Sequence, residues 1–252
     1  MKVLCVMAAH RRPEITFETI EMLKNIQTLA PMQVLVVGDS EVEEAIADRT
    51  NSLYQSSKNQ PLGRKWQAGI SAARQRAPDA ILILGSDTWL SKKWIELCAE
   101  QLEKGYDVVG KNRWYTCHAM PEEQVEIIQR GYVTLQAREH PVGGGRLISS
   151  RILECLNWDL YPATATSALD TRSFYRLKEH GASFMLLNDN EELKVMGIKS
   201  TWQTLNKFTR LKTASQLAHY PGVPREEIRQ FIETNFPGGV AALGRAVKGV
   251  II

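Results

Sequence analysis

A continuous apolar run, Ala80-Ile81-Leu82-Ile83-Leu84, lies between two stretches of helical periodicity and ends on Gly85-Ser86-Asp87. A short segment that is apolar at every position fits a strand buried on both faces, and such a strand needs helices covering it from either side. The neighbouring segments repeat the pattern. Strands are predicted at residues 2–8, 33–37 and, weakly, 53–56, with helices at about 14–28, 42–48, 63–75 and 91–104. Strands alternating with helices of this length imply right-handed βαβ crossovers, so the expected class is α/β with a mostly parallel central sheet flanked by helices. Ser91 is placed as the N-cap of the last of these helices and Gly105 as its stop. In open α/β sheets ligands bind outside the carboxyl ends of the strands. Asp87 is therefore expected at a site, as a ligand for a metal ion.

A chain of 252 residues with 44% apolar content can bury a sizeable core. The opening MKVLCVMAAHRR has too short an apolar stretch for a signal peptide, and no window reaches the roughly 18 apolar residues of a membrane span. Cys5, Cys98, Cys117 and Cys155 lie far apart without a CxxC pair, which speaks against a zinc ribbon or a disulfide framework and for a reducing, cytoplasmic setting. The net charge of +3 is uneven: residues 194–252 hold nine Lys and Arg against three Glu, leaving 22 basic and 25 acidic side chains in the rest. Such asymmetry is compatible with a polyanionic partner and equally with a solvated basic face.

Beyond Gly110 the periodicity loosens. Residues 121–136 read as helix or hairpin, and the run Pro141-Val142-Gly143-Gly144-Gly145-Arg146 reads as a loop whose glycines permit close approach to a ligand. A helix is predicted at 147–156, another from Asp170 to Gly181, a strand at 183–187, and two closing helices at about 225–234 and 239–247. The expected organisation is one domain over residues 1–200, with a nucleotide-binding half at 1–110 and an acceptor half at 111–200, followed by a basic helical segment at 201–252.

Four blocks between about Val3 and Trp202 resemble the GT-A fold glycosyltransferases, and among them the family 2 enzymes. They are Ala8-Ala9-His10-Arg11-Arg12-Pro13-Glu14 after the first strand, Val36-Val37-Gly38-Asp39-Ser40 at the end of the second, the spaced set Asn59, Gly63, Trp66 and Gly69, and Gly85-Ser86-Asp87 in the place of the family's DxD triplet. The resemblance implies a GT-A, Rossmann-like fold and a nucleotide-diphosphate-sugar donor, a UDP-sugar first among them. It implies that Ala8, His10, Arg11, Asp39, Arg64, Lys65, Ser86 and Asp87 line the donor site, Asp39 holding the nucleobase. It further implies that Asp87 binds Mn2+ or Mg2+, and that Gly143, Gly144, Gly145 and Trp202 shape the acceptor pocket. Gly85 stands where many members carry the first Asp, which leaves Asp87 as the one carboxylate of the triplet.

Sugar transfer needs a neutralised diphosphate leaving group and a base for the acceptor hydroxyl. Arg11, Arg64 and Lys65 are the cations near the strand ends, suited to phosphate contacts. Asp170, within Ser167-Ala168-Leu169-Asp170, resembles the family's base at a helix start; an Asp there can equally be an N-cap. As base it would give a single displacement with inversion. His180 and His219 lack metal-ligand spacing, and Trp202 suits an acceptor contact or the core equally. Two other functions compete. A nucleotidyltransferase uses a related sheet but normally has a Gly-rich loop after the first strand, which Ala8-Ala9-His10-Arg11-Arg12 is not. A nucleotide-sugar-binding module could keep the fold without catalysis. Soluble, lipid-linked and modified-DNA acceptors remain open, the last resting on Lys199, Lys207, Arg210 and Lys212 with Trp202 and Phe208 interleaved.

Overall fold

The computed structural model describes residues 1–26, 32–119, 125–132, 139–187, 193–200 and 217–248. Its main sheet is built from β1 (Val3–Ala8), β2 (Gln33–Gly38), β3 (Leu53–Ser56), β4 (Ala80–Gly85), β6 (Val108–Gly110), β9 (Arg146–Ser149) and β10 (Phe184–Leu186), in the order β10-β6-β9-β4-β1-β2-β3. The four strands β4-β1-β2-β3 are parallel, so their carboxyl ends share one edge. Side chains alternate across a strand, and β1 divides accordingly: Val3, Cys5 and Met7 enter one core, Leu4 and Val6 the other.

Helices cover both faces. The first core takes Ile20 and Leu23 of α1 (Pro13–Asn25), Ile46 and Ala47 of α2 (Glu41–Arg49), and Trp94 and Cys98 of α4 (Trp94–Glu103). The second takes Ile70 and Ala73 of α3 (Leu62–Arg74), Ile152 and Leu153 of α5 (Ser150–Cys155), and Leu169 and Leu177 of α6 (Leu169–Glu179). Helix α1 starts on proline, whose preset φ suits the first turn, and the residue before it lies outside the helical region, Arg12 having φ −143° and ψ 63°.

A second sheet stands beside the first, in the order β12-β8-β7-β11-β5, from β5 (Thr88–Leu90), β7 (Arg113–Ala119), β8 (Val125–Tyr132), β11 (Val195–Ser200) and β12 (Leu217–Tyr220). Its core joins Trp89, Cys117, Ile127 and Ile198 to Ile228 and Ile232 of α7 (Ile228–Asn235) and to Ala242 and Leu243 of α8 (Gly239–Lys248). Arg245 of α8 donates two hydrogen bonds of 2.7 Å to the buried Glu18 carboxylate on α1, so the described part of the basic C-terminal segment is packed onto the body.

Local expectations shift at several points. The helix predicted at 147–156 begins as strand β9, which lies antiparallel between β4 and β6 and makes the sheet mixed. Leu147 and Ile148 are both fully buried, and a short apolar pair carries no period that separates strand from helix. The helix proper starts after Ser149, whose hydroxyl accepts from the Ile152 N–H. Ser91 is not an N-cap: its hydroxyl accepts from Lys194 N–H at 2.9 Å and its own N–H donates to the Lys194 carbonyl, fastening β5 to β11. The described part of 121–136 is strand β8, paired antiparallel with β7.

Asp107 ties β6 to the elements around it, accepting from Ser183 N–H and Oγ and from Arg151 Nε and Nη2 at 2.8–3.0 Å. Burial raises its carboxyl pKa, but these donors outweigh it and the net shift is downward. A carboxyl lowered on folding contributes stability that is present above its unfolded value of about 3.9 and lost as pH falls through the folded value. Asp107→Asn is therefore expected to lower the urea midpoint at pH 7, with the gap to wild type closing below about pH 4. A gap that persists undiminished at pH 3 would show that charge is not what Asp107 supplies.

Candidate functional site

The parallel strands deliver three loops to one edge. After β1, His10 Nδ1 lies 3.0 Å from Asp39 Oδ1 at the end of β2. The same Asp39 oxygen is 3.4 Å from the ammonium of Lys65 on α3. Burial raises the Asp39 pKa, but the His10 hydrogen bond and the Lys65 charge overcome it and hold the carboxyl below its ordinary value. Lys65 itself is fully buried, and burial lowers its pKa against the pull of Asp39. Its ammonium donates to the Ala9 carbonyl and, at 3.4 Å each, faces Asp39 Oδ1 and Asn59 Oδ1, which uses its three N–H groups. Lys65 thus acts by holding the β1 and β2 loops together and has no donor left for a phosphate.

At the tip between β4 and β5, Asp87 is 6% exposed, and its Oδ2 receives both Arg12 Nη1 and Lys199 Nζ at 2.5 Å. Burial disfavours the charged form, yet the Lys199 and Arg12 cations outweigh it and hold the carboxyl far below the usual carboxylate range. Lys199 arrives because β11 pairs antiparallel with β5, Gly197 opposite Thr88, and Ile198 N–H donates to the Asp87 carbonyl at 2.6 Å. Ser86 beside it is 1% exposed, with its hydroxyl lacking a hydrogen-bond partner among the described residues.

The glycine run then links this tip to Asp170. Gly145 has φ +84°, a left-handed conformation that favours glycine; its N–H donates to the Ile83 carbonyl at 2.8 Å, and its carbonyl accepts from the Trp94 indole at 2.7 Å. A Cβ on Gly144 would stand 3.0 Å from Thr88 Cγ2, and one on Gly143 would stand 2.1 Å from Asp170 Oδ1. The carboxylate of Asp170 therefore packs where a side chain at 143 would be. Asp170 is not the N-cap of α6; that position belongs to Ala168, with φ 54°. Below the loop, Arg146 is fully buried and donates through Nη2 to Ser173 Oγ at 2.8 Å, while that hydroxyl donates to the Asp170 carbonyl, bracing the first turn of α6.

His10, Asp39, Ser86, Asp87, Gly143, Gly144, Gly145 and Asp170 accordingly gather at one edge. Of the expected cations, Lys65 reaches this edge through Asp39 but is committed to protein oxygens. Arg11 is exposed with φ +53°, its backbone N–H on Glu43 Oε1, and Arg64 is exposed on the first turn of α3. Arg12, one residue along from the cation expected, takes the Asp87 contact, as does Lys199, which the sequence reading assigned to a nucleic-acid face. Ala8 ends β1 opposite Gly85. Trp202, Lys207, Phe208, Arg210 and Lys212 lie outside the described residues. Arg12 was within reach of sequence reasoning through its place before Pro13; Lys199 had no local signal.

The ion expected at Asp87 can be tested against these donors. Among the described residues the one set of His and acidic side chains close enough to surround an ion is His10, Asp39 and Glu43, which does not include Asp87. In that set the Glu43 oxygens accept from Arg11 N–H and the Ser40 hydroxyl, and Asp39 Oδ1 faces His10 and Lys65. At Asp87 two cations already meet on one oxygen. Unit charges 4 Å apart interact by about 4 kcal/mol at an effective dielectric of about 20, and a divalent ion doubles this. An ion coordinated at about 2 Å is attracted to the carboxylate roughly twice as strongly as either cation at about 4 Å repels it, so one carboxylate and two cations nearly cancel. In this arrangement Asp87 by itself offers a divalent ion little net attraction.

The sequence matches the model of glycosyl transferase family 2 over residues 5–149. No curated protein matches the chain. Among solved structures, residues 1–349 of TarS from S. aureus align at 15% identity with a TM-score of 0.55, over 79% of this chain and 60% of that one. The mannosyltransferase PcManGT from Pyrobaculum calidifontis, in complex with GDP-Man and Mn2+, aligns at 10% identity with a TM-score of 0.57, over 98% of this chain and 74% of that one. The chain thus spans less than two thirds of that TarS fragment, and at such identities the likeness establishes the shared GT-A architecture. With the family model covering more than half of its length, from Cys5 to Ser149, the chain belongs to glycosyl transferase family 2.

Proposed function

We propose that this protein transfers a sugar from a nucleoside-diphosphate donor to an acceptor hydroxyl by a single displacement with inversion. The observation that carries the reading is the placement of Asp87 and Asp170 on either side of one glycine loop, with the His10–Asp39 pair at the same strand edge. In this reading Asp39 and His10 meet the nucleobase and ribose, the diphosphate lies at the β4 tip, and the sugar occupies the space along Gly143 and Gly144. The acceptor oxygen attacks the anomeric carbon while Asp170 takes its proton, and the bond from that carbon to the β-phosphate oxygen breaks with its electron pair leaving on the phosphate. Asp170 is held beneath Gly143 without a hydrogen bond to its carboxylate among the described residues, which leaves the oxygens open to a hydroxyl. A bound Mn2+ is a property of the PcManGT complex; the two cations already on Asp87 favour a reading that routes no step through an ion.

UDP follows from the family resemblance and GDP from the donor named with PcManGT, so these two head a panel completed by CDP, ADP and dTDP. A ligand that binds only the folded protein at about 100 times its Kd adds roughly 2.7 kcal/mol of stability. One nucleotide of the panel is expected to raise Tm measurably, and its sugar conjugate is expected to release that nucleotide when incubated with the protein. A nucleotide that binds while its sugar conjugates stay intact would favour a binding module. Among the described residues no helix is long and apolar enough to cross a membrane.

A further inference from the structure

We propose that Arg12 and Lys199 form a cation clamp that binds the donor diphosphate and stabilises the departing phosphate charge in place of a divalent ion. The proposal rests on the glycosyltransferase reading above and assigns to it a site for the leaving group. Both cations are largely buried, with side-chain exposures of 18% and 17%, and both converge on a single oxygen of Asp87. One carboxylate against two cations leaves a surplus positive charge at the end of β4, where the parallel strands open. A guanidinium has five N–H donors and an ammonium three; one of each is used on Asp87, and the rest have no acceptor among the described residues. Asp87 thus works as an anchor that fixes two cations side by side.

Two further features point to an anionic ligand. Arg12 is also the residue that precedes α1, so the backbone that carries it opens into the positive end of a 13-residue helix. The Ser86 hydroxyl, buried and unpartnered among the described residues, supplies an additional donor in the same tip. Guanidinium groups match phosphate oxygens in pairs, and ammonium groups serve as point charges, so together they suit a diphosphate. Fixed cations at the place where negative charge develops need no reorganisation during bond cleavage, which is the service a metal ion performs in related chemistry.

Isothermal titration of the full chain with the five nucleoside diphosphates of that panel, in EDTA and then in Mn2+, tests this, with the matching nucleosides as phosphate-free probes. At least one diphosphate is expected to bind in EDTA with a Kd within about threefold of that in Mn2+. Lys199→Met and Arg12→Gln are each expected to weaken it by about tenfold or more while leaving the matching nucleoside unchanged, because each removes charged hydrogen bonds to phosphate alone. Lys199→Arg should keep most of the affinity, and it decides the matter if Lys199→Met fails to melt cooperatively. Binding that EDTA abolishes and Mn2+ restores would overturn the clamp and leave the glycosyltransferase reading standing. Equal weakening of nucleoside and diphosphate would overturn it as well, reducing the two cations to a structural role. No binding of any nucleotide in either condition would overturn both.

Discussion

Asp170→Asn is expected to cut kcat by about 10²- to 10⁴-fold while leaving the Kd of the donor nucleotide nearly unchanged. The range is that of a positioned general base, and the substitution retains the shape of the side chain that packs against Gly143. An amide cannot accept the proton of the acceptor hydroxyl, so the loss should fall on turnover. Melting temperature should hardly move, because the carboxylate makes no hydrogen bond among the described residues that the amide would forfeit. A variant turning over within about threefold of wild type would place the base elsewhere and break the assignment of roles along the glycine loop. Gly143→Ala offers the complementary perturbation: its Cβ would meet Asp170 Oδ1 at 2.1 Å, so the carboxylate must move even though its chemistry is intact.

The largest expected loss of stability belongs to Trp94→Ala. Trp94 is completely buried at the start of α4, in the core on the α1 face of the main sheet, and its indole N–H supplies the 2.7 Å hydrogen bond to the Gly145 carbonyl. Removing a buried tryptophan costs about 3–5 kcal/mol, and for a chain of this size each kcal/mol lowers Tm by roughly 2–4 °C. A drop on the order of 10 °C is the expected reading in a thermal melt. Activity should fall further than the folded fraction, because Gly145 sets the position of Gly144 against Thr88 and of Gly143 against Asp170. Trp94→Phe separates the two contributions: it keeps a ring in the core but leaves the Gly145 carbonyl without its donor, for a cost of about 1–3 kcal/mol. If Trp94→Ala melts within about 2 °C of wild type, the indole is not what holds the loop, whatever its burial.

The alternation of strands and helices was legible because each of the first four strands carries its own signal. Ala80–Leu84 is apolar throughout, as a strand covered on both faces must be, and the helices between the strands show their period within a single turn or two. The carboxyl-edge residues followed from that: once β1, β2 and β4 run parallel, His10, Asp39 and Asp87 must emerge together. Strand β9 was misread because Leu147 and Ile148 become strand only through the partners on either side, β4 and β6. Ser91 was misread for a related reason. A serine ahead of an apolar helix has the composition of a cap, but its hydroxyl is claimed by Lys194, 103 residues away.

The sequence by itself determined the α/β class, the parallel core of the sheet, the carboxylates at its edge and the glycine loop before Asp170, since each depends on local period or on residues adjacent in the chain. Only the tertiary structure decided which cations serve those carboxylates. Lys65, an apparent phosphate ligand in the sequence, is buried beneath Asp39, while Lys199 reaches Asp87 across 112 residues because β11 pairs with β5. Charge is written in the sequence, but its partner is set by distance, and distance between remote residues exists only after the strands have paired.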